Sequence, residues 1–227
     1  MATGTAFYAY PSEPDSIGWT ITAALEARDK KRPPVIITPW PKVSNVGLRL
    51  DDALRERIAT SNCLIADITV PNFNVYYELG YAIGCGKPII PTLDATNEHA
   101  KKEVVQLGLL DTVGYLAYSN SNELEQHLEN LNDKTLLSEY ARELDYQQPV
   151  FFLDSLAKTD FRNKIVSAIK SARAFYRSYD PAETPRLSAT DAIGFVTASS
   201  GIILPLLAPP IIDSVRHNIR AAFLAGL

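Results

Sequence analysis

The sequence predicts an α/β protein, a doubly wound parallel sheet followed by a partial, degenerate second copy of the same arrangement. Three features predict it. Short apolar runs bounded by turn residues alternate with longer amphipathic stretches, the pattern of strands covered on both faces and joined by crossover helices. Asn62 to Leu93 shows this most plainly: a buried strand (Cys63 to Ile68), a polar loop (Thr69 to Asn74), a helix (about Val75 to Cys85) and a second buried strand (Ile89 to Leu93). The same alternation then restarts at Pro149.

In chain order, Thr5 to Tyr10 reads as the first strand and Pro11 to Ser16 as a loop of turn formers and helix caps. Ile17 to Arg28 reads as a helix. In a doubly wound sheet the loops after the first and third strands meet where ligands bind, so Ser12 and Asp15 are ligand candidates, with turn and capping chemistry as the plain alternative. A second strand, Val35 to Thr38, runs into Pro39, Trp40 and Pro41. An indole at that end of the sheet could stack on a base or cover the sheet edge.

Leu48 to Thr60, with apolar residues at 50, 54 and 58 and charges between, predicts an amphipathic helix leading into the central unit. Beyond Leu93, a helix from about Asn97 to Leu107 and a strand from Val113 to Ala117 complete five strands, which suits the flavodoxin-like order 2-1-3-4-5. Asn122 to Leu144 is polar and helical in pattern and closes a first domain, 1–147.

Within the central helix, Val75, Leu79, Ala82, Ile83 and Gly86 share one side and Glu78 lies at its margin. The expected helix start puts Glu78 in the first turn, where the helix N-terminus favours an ionised carboxylate. Its plain role is to complement the helix dipole. Asp67 at the strand end, with Asn72 and Asn74 in the loop, makes a ligand site the competing reading.

The residues Asp67-Ile-Thr, Asn72-Phe-Asn74-Val-Tyr-Tyr-Glu78-Leu-Gly80-Tyr-Ala82 and Gly86-Lys87-Pro88 resemble the nucleoside 2-deoxyribosyltransferase superfamily. The likeness is greatest to its bacterial Toll/interleukin-receptor-like, nucleotide-binding branch. The resemblance covers roughly 25 residues and implies the fold more sharply than the substrate. It implies that Glu78 is a nucleophile, or a stabiliser of the oxocarbenium ion, in N-glycosidic bond cleavage or transfer on a nucleoside, nucleotide or NAD. Asp67 and Asn72 or Asn74 would then hold ribose hydroxyls, Ser12 would meet the 5′ side, and Trp40 or Tyr10 would face the base. A role in signalling or defence would also follow.

Two positions depart from the transferases. Phe7 stands where they carry a strand Tyr, with Tyr8 and Tyr10 on the opposite strand face, and Asn72 stands where they carry an Asp. An Asn cannot exchange a proton with a leaving base. These departures weigh against deoxyribosyl transfer and leave glycosidic hydrolysis, or nucleotide sensing without turnover.

Composition narrows the class. The chain has 227 residues, 46% hydrophobic and 21% charged, with net charge −4, so it offers no basic surface for a nucleic-acid backbone. Cys63 and Cys85 have no companions that would make a zinc set and are expected to be buried, reduced thiols. His99, His127 and His217 lack partners at triad or metal spacing and are expected at the surface. No Walker-type loop or dinucleotide fingerprint is present. No secretion signal or membrane span is legible, so a cytoplasmic protein is expected. No cofactor is expected, NAD entering only as a substrate. The expected partners are a small nucleoside or nucleotide and, in a homo-oligomer, other copies of the chain; neither nucleic acid nor membrane is expected.

The second copy, 148–227, is predicted to hold strands at Pro149–Leu153, Ala174–Tyr179 and Ile202–Leu206, and helices at Asp160–Ala172, Leu187–Ser199 and Ser214–Leu227. Aligned on the first, it puts Pro205 at the position of Asp67 and leaves the position of Glu78 near Ala221, so this copy would lack the catalytic Glu. It stops before a fourth strand, which would leave an open edge and an apolar face. A fragment of a longer protein, or cover from a partner or the first domain, is expected.

Overall fold

A computed structural model describes residues 4–43, 50–129, 131 and 148–227. Strands β1 (Gly4–Ala9), β2 (Val35–Pro39), β3 (Cys63–Asp67), β4 (Ile89–Asp94) and β5 (Leu116–Tyr118) form one sheet in the order β2-β1-β3-β4-β5. Every neighbouring pair is parallel, with Phe7 opposite Leu64 and Asp67 opposite Thr92. The helices are α1 (Asp15–Lys30), α2 (Leu50–Thr60), α3 (Phe73–Gly84), α4 (Ala100–Leu107) and α5 (Ser121–Glu129). The rest of the polar helical stretch predicted to Leu144 lies outside the described residues.

Strand periodicity sorts the core. Ala6, Tyr8, Cys63 and Ile65 face α1 and α5, together with Ile21, Leu25 and Leu124. Phe7, Ala9, Leu64 and Ala66 face the other way and pack with Val75, Leu79 and Ile83 of α3. Side chains that alternate faces along each strand thus fill two layers of helix.

A second sheet, β6 (Val150–Leu153), β7 (Tyr176–Tyr179) and β8 (Ile202–Ile203), is parallel in the order β7-β6-β8. That repeats β2-β1-β3. Helices α6 (Asp160–Ser171), α7 (Ala189–Thr197) and α8 (Ser214–Gly226) follow the strands in turn. β8 is shorter than predicted: Pro205, with no N–H for a ladder, follows closely.

The expected bare apolar face is covered by the first half. Phe151, Leu153, Ile193, Phe223 and Leu224 belong to the same continuous core as α3. The contact is close where α8 crosses α3: a Cβ on Gly226 would lie 2.2 Å from the Tyr77 carbonyl oxygen, and one on Gly84 2.5 Å from that of Leu227. Glycine lets the two backbones touch.

Other expectations are corrected. Cys85 is exposed, since α3 ends at Gly84, although Cys63 is buried. His217 is buried, its Nε2 2.7 Å from the Pro205 carbonyl oxygen, because α8 turns that face against the β8 loop. Among the described residues no helix is long and apolar enough to cross a membrane.

Candidate functional site

A cleft of about 390 Å³ opens beyond the carboxyl ends of β1 and β2, a size typical of small-molecule sites. Tyr10 and Ser12 come from the end of β1 and its loop, and Trp40 from the short turn after β2. Leu54, Arg55 and Ile58 come from α2; Asn72, Asn74, Val75, Tyr77 and Glu78 come from the cap and first two turns of α3. Six residues singled out in the sequence, Tyr10, Ser12, Trp40, Asn72, Asn74 and Glu78, therefore share one cleft. Asp15 and Asp67 are not among its lining.

Glu78 is 7% exposed and makes no hydrogen bond or ion pair among the described residues. Because α3 begins at Phe73, Glu78 lies in the second turn and not the first, beyond the strongest influence of the helix N-terminus. Burial pushes its carboxyl up to about 8. The expectation of a carboxylate kept ionised is thereby corrected: at neutral pH the group is largely protonated.

Asp67 is corrected more completely. It is 0% exposed. Its Oδ2 accepts from the Tyr118 hydroxyl at 2.8 Å and the Thr92 hydroxyl at 3.1 Å, and its Oδ1 from the Thr69 N–H at 3.1 Å. Tyr8 joins through Thr92, oxygen to oxygen 2.9 Å. Burial raises the Asp67 carboxyl against the pull of these hydrogen bonds. Asp67 shares the parity of Cys63 and Ile65, whose face meets α1 and α5, whereas Glu78 stands on α3 across the sheet. It clips β1, β3, β4 and β5 together and cannot reach a ribose.

Asn72 caps α3. Its Oδ1 accepts from the backbone N–H groups of Asn74 at 3.0 Å and Val75 at 3.2 Å, which leaves its amide NH₂ as donor for a ligand. Asn74 and Ser12 are exposed. The aromatic side is a chain of rings: Trp40 lies 6.0 Å from Tyr10, tilted by 60°, and Tyr10 meets Tyr8 edge to face at 5.8 Å. The indole Nε1 of Trp40 is buried with no hydrogen-bond partner among the described residues, a donor that a ligand acceptor would satisfy. Phe7 is fully buried in the core and gives the cleft no phenol.

Arg55 and Tyr77 were not anticipated. Arg55 pairs with Asp52 one turn away on α2 and still borders the cleft; in the sequence it reads as one of the solvent-facing charges. Tyr77 stacks on Tyr81, ring centres 6.3 Å apart. The spacing of Asn74, Tyr77 and Glu78, three and four residues, was a legible signal that they share a helix face.

Among the described residues no group of three or more His, Cys, Asp or Glu could hold a metal ion. No family model matches the chain, and no curated protein matches it.

Proposed function

We propose that the chain cleaves or transfers an N-glycosidic bond of a nucleoside, nucleotide or NAD, with Glu78 as its reactive carboxylate. The observation that carries this reading is the convergence of Glu78, with no polar partner, and an aromatic pair, Trp40 and Tyr10, on one cleft at the carboxyl ends of parallel strands. In the reaction, a Glu78 oxygen attacks C1′ as the C1′–N bond breaks. The bond pair leaves with the base, which takes up a proton when it departs from a nucleoside or nucleotide and none when it departs from NAD as neutral nicotinamide; water then hydrolyses the sugar ester and regenerates the carboxyl group. The base stacks on the rings, and the Asn72 and Asn74 amides hydrogen-bond the sugar.

A second reading, nucleotide sensing without turnover, draws on the largely protonated Glu78 and on Phe7, which supplies no hydroxyl to orient it. One experiment separates the two. The protein is incubated with NAD and a nucleoside panel, and free base is followed by chromatography. Base released by the wild type and not by Glu78→Gln supports the enzyme. Saturable binding with no base released by either supports the sensor, and neither binding nor release sinks both.

A further inference from the structure

The second half has a cleft where the first has its own. α8 follows β8 as α3 follows β3, and about 330 Å³ of space lies beyond the carboxyl ends of β6 and β7. Its walls are Leu156 from the loop after β6, Pro181, Pro185 and Arg186 after β7, and Asp213, Arg216 and Arg220 from the start of α8. Val105 and Gln106 of α4, in the first half, complete them. Counted from the helix caps, Asn72 and Asp213, the position of Glu78 is taken by Ile219 and not by Ala221. By the same count Val75 and Leu79 become Arg216 and Arg220. The cleft has exchanged a carboxyl for guanidinium groups.

Three guanidinium groups border this cleft against one carboxylate, Asp213. That carboxylate is spread between Arg216 at 3.3 Å and Arg220 at 3.5 Å. Outside the lining, Asp111 stands 3.2 Å from Arg186 and Glu103 3.5 Å from Arg216. Arg220, 3% exposed, is held by the carbonyl oxygens of Leu107, Gln106 and Pro185 at 3.2, 3.3 and 3.4 Å. These neutral acceptors fix its plane without cancelling its charge. The Nε of Arg216 is buried without a partner among the described residues, while its Nη2 donates to the Gln106 Oε1.

The start of α8 is unusual in the same sense. It has no acidic residue in its first turn and the side chain of Asp213 makes no cap hydrogen bond; the Ser214 N–H is taken by the Ile211 carbonyl oxygen at 3.1 Å, and no side chain among the described residues caps the N–H groups that follow. Cations at a helix N-terminus oppose its dipole. An anion bound there relieves both the dipole and the arginines.

We propose that this cleft is a second ligand site, which takes a small organic phosphate of nucleotide size. The phosphate sits against Arg216 and Arg186 at the head of α8, with Arg220 behind, and the organic part lies on Leu156, Pro181 and Pro185. The proposal does not depend on the chemistry assigned to Glu78.

The test is calorimetric titration of the full chain with AMP, adenosine and inorganic phosphate at low salt, with Arg186→Glu, Arg216→Gln and Trp40→Ala as variants. Arg186 is largely exposed, so its variant folds independently of any role of Arg216 in α8. AMP is expected to bind more tightly than adenosine or inorganic phosphate. Each arginine change is expected to weaken AMP by about tenfold or more, the loss of a charge-assisted hydrogen bond, and to do so equally in a Trp40→Ala background, in which binding at the first cleft is impaired. AMP binding that is lost in Trp40→Ala alone, or that neither arginine change weakens in the Trp40→Ala background, assigns the nucleotide to the first cleft and overturns the proposal. No AMP binding overturns it too, and inorganic phosphate binding as tightly as AMP reduces the site to a bare anion site.

Discussion

A Cβ on Gly80 would lie 2.1 Å from the carbonyl oxygen of Phe223. The helix that carries Glu78 is therefore seated, backbone on backbone, against the last helix of the second half. The two helices occupy equivalent places in the two sheets, so the halves pack through matching elements.

Gly80→Ala cannot be absorbed by a rotamer change, because the obstacle is backbone. It is expected to destabilise the chain by about 3 kcal/mol, the upper end for overpacking. Denaturant unfolding checks this, and a variant as stable as wild type would mean that the helices are not in contact.

Stability should fall with rising pH on account of Glu78. Its pKa is 4.5 unperturbed and about 8 in the folded chain. Below about pH 4 the group is neutral in both states and costs nothing. Between the two values the unfolded chain releases a proton that the folded chain keeps, so stability drops until about pH 8 and then levels off. Glu78→Gln removes the penalty: unfolding free energies should match wild type near pH 4 and exceed it by a few kcal/mol above pH 8. Parallel profiles for the two proteins would place the carboxyl in water.

The same titration sets the rate. A nucleophile must be ionised, so base release measured as kcat/KM should climb with pH and level off above about 8. A profile that declines through that value would recast Glu78 as the acid that protonates the leaving base.

Trp40 and Asp67 should separate ligand binding from structure. Trp40→Ala is expected to weaken nucleoside binding by about 1–3 kcal/mol, the value of a base stacked on an aromatic ring, with little change in fold. Asp67→Ala strands the Tyr118 and Thr92 hydroxyls in the interior and should cost about 2–4 kcal/mol of stability, with ligand affinity retained in the folded fraction. Calorimetric titration with the nucleoside, which needs no tryptophan reporter, measures affinity in both variants. Equal loss of affinity in both variants would return Asp67 to the cleft.

Local patterns made most of the fold legible. Apolar runs such as Cys63 to Ile68 mark strands wherever they fall, and their alternation with helices makes the sheet parallel; the flavodoxin-like order it suited is the order the sheet has. Boundaries slipped where a side chain acted through a hydrogen bond: Asn72 caps α3, so the helix starts two residues before the expected Val75. That shift moved Glu78 out of the first turn. Arg55 escaped notice because an amphipathic helix shows which residues are polar and not which of them border a cavity.

The sequence by itself determined the parallel architecture, the restart at the second half and the candidates Tyr10, Ser12, Trp40, Asn72, Asn74 and Glu78, because strand and helix periods are set by neighbours along the chain. Only the tertiary structure decided that Asp67 is a buried clip, that α8 rests on α3 through glycine, and that Glu78 holds its proton near neutral pH. Those outcomes depend on which surfaces close over each group: desolvation and backbone contact arise between segments distant in sequence, and no local pattern encodes them.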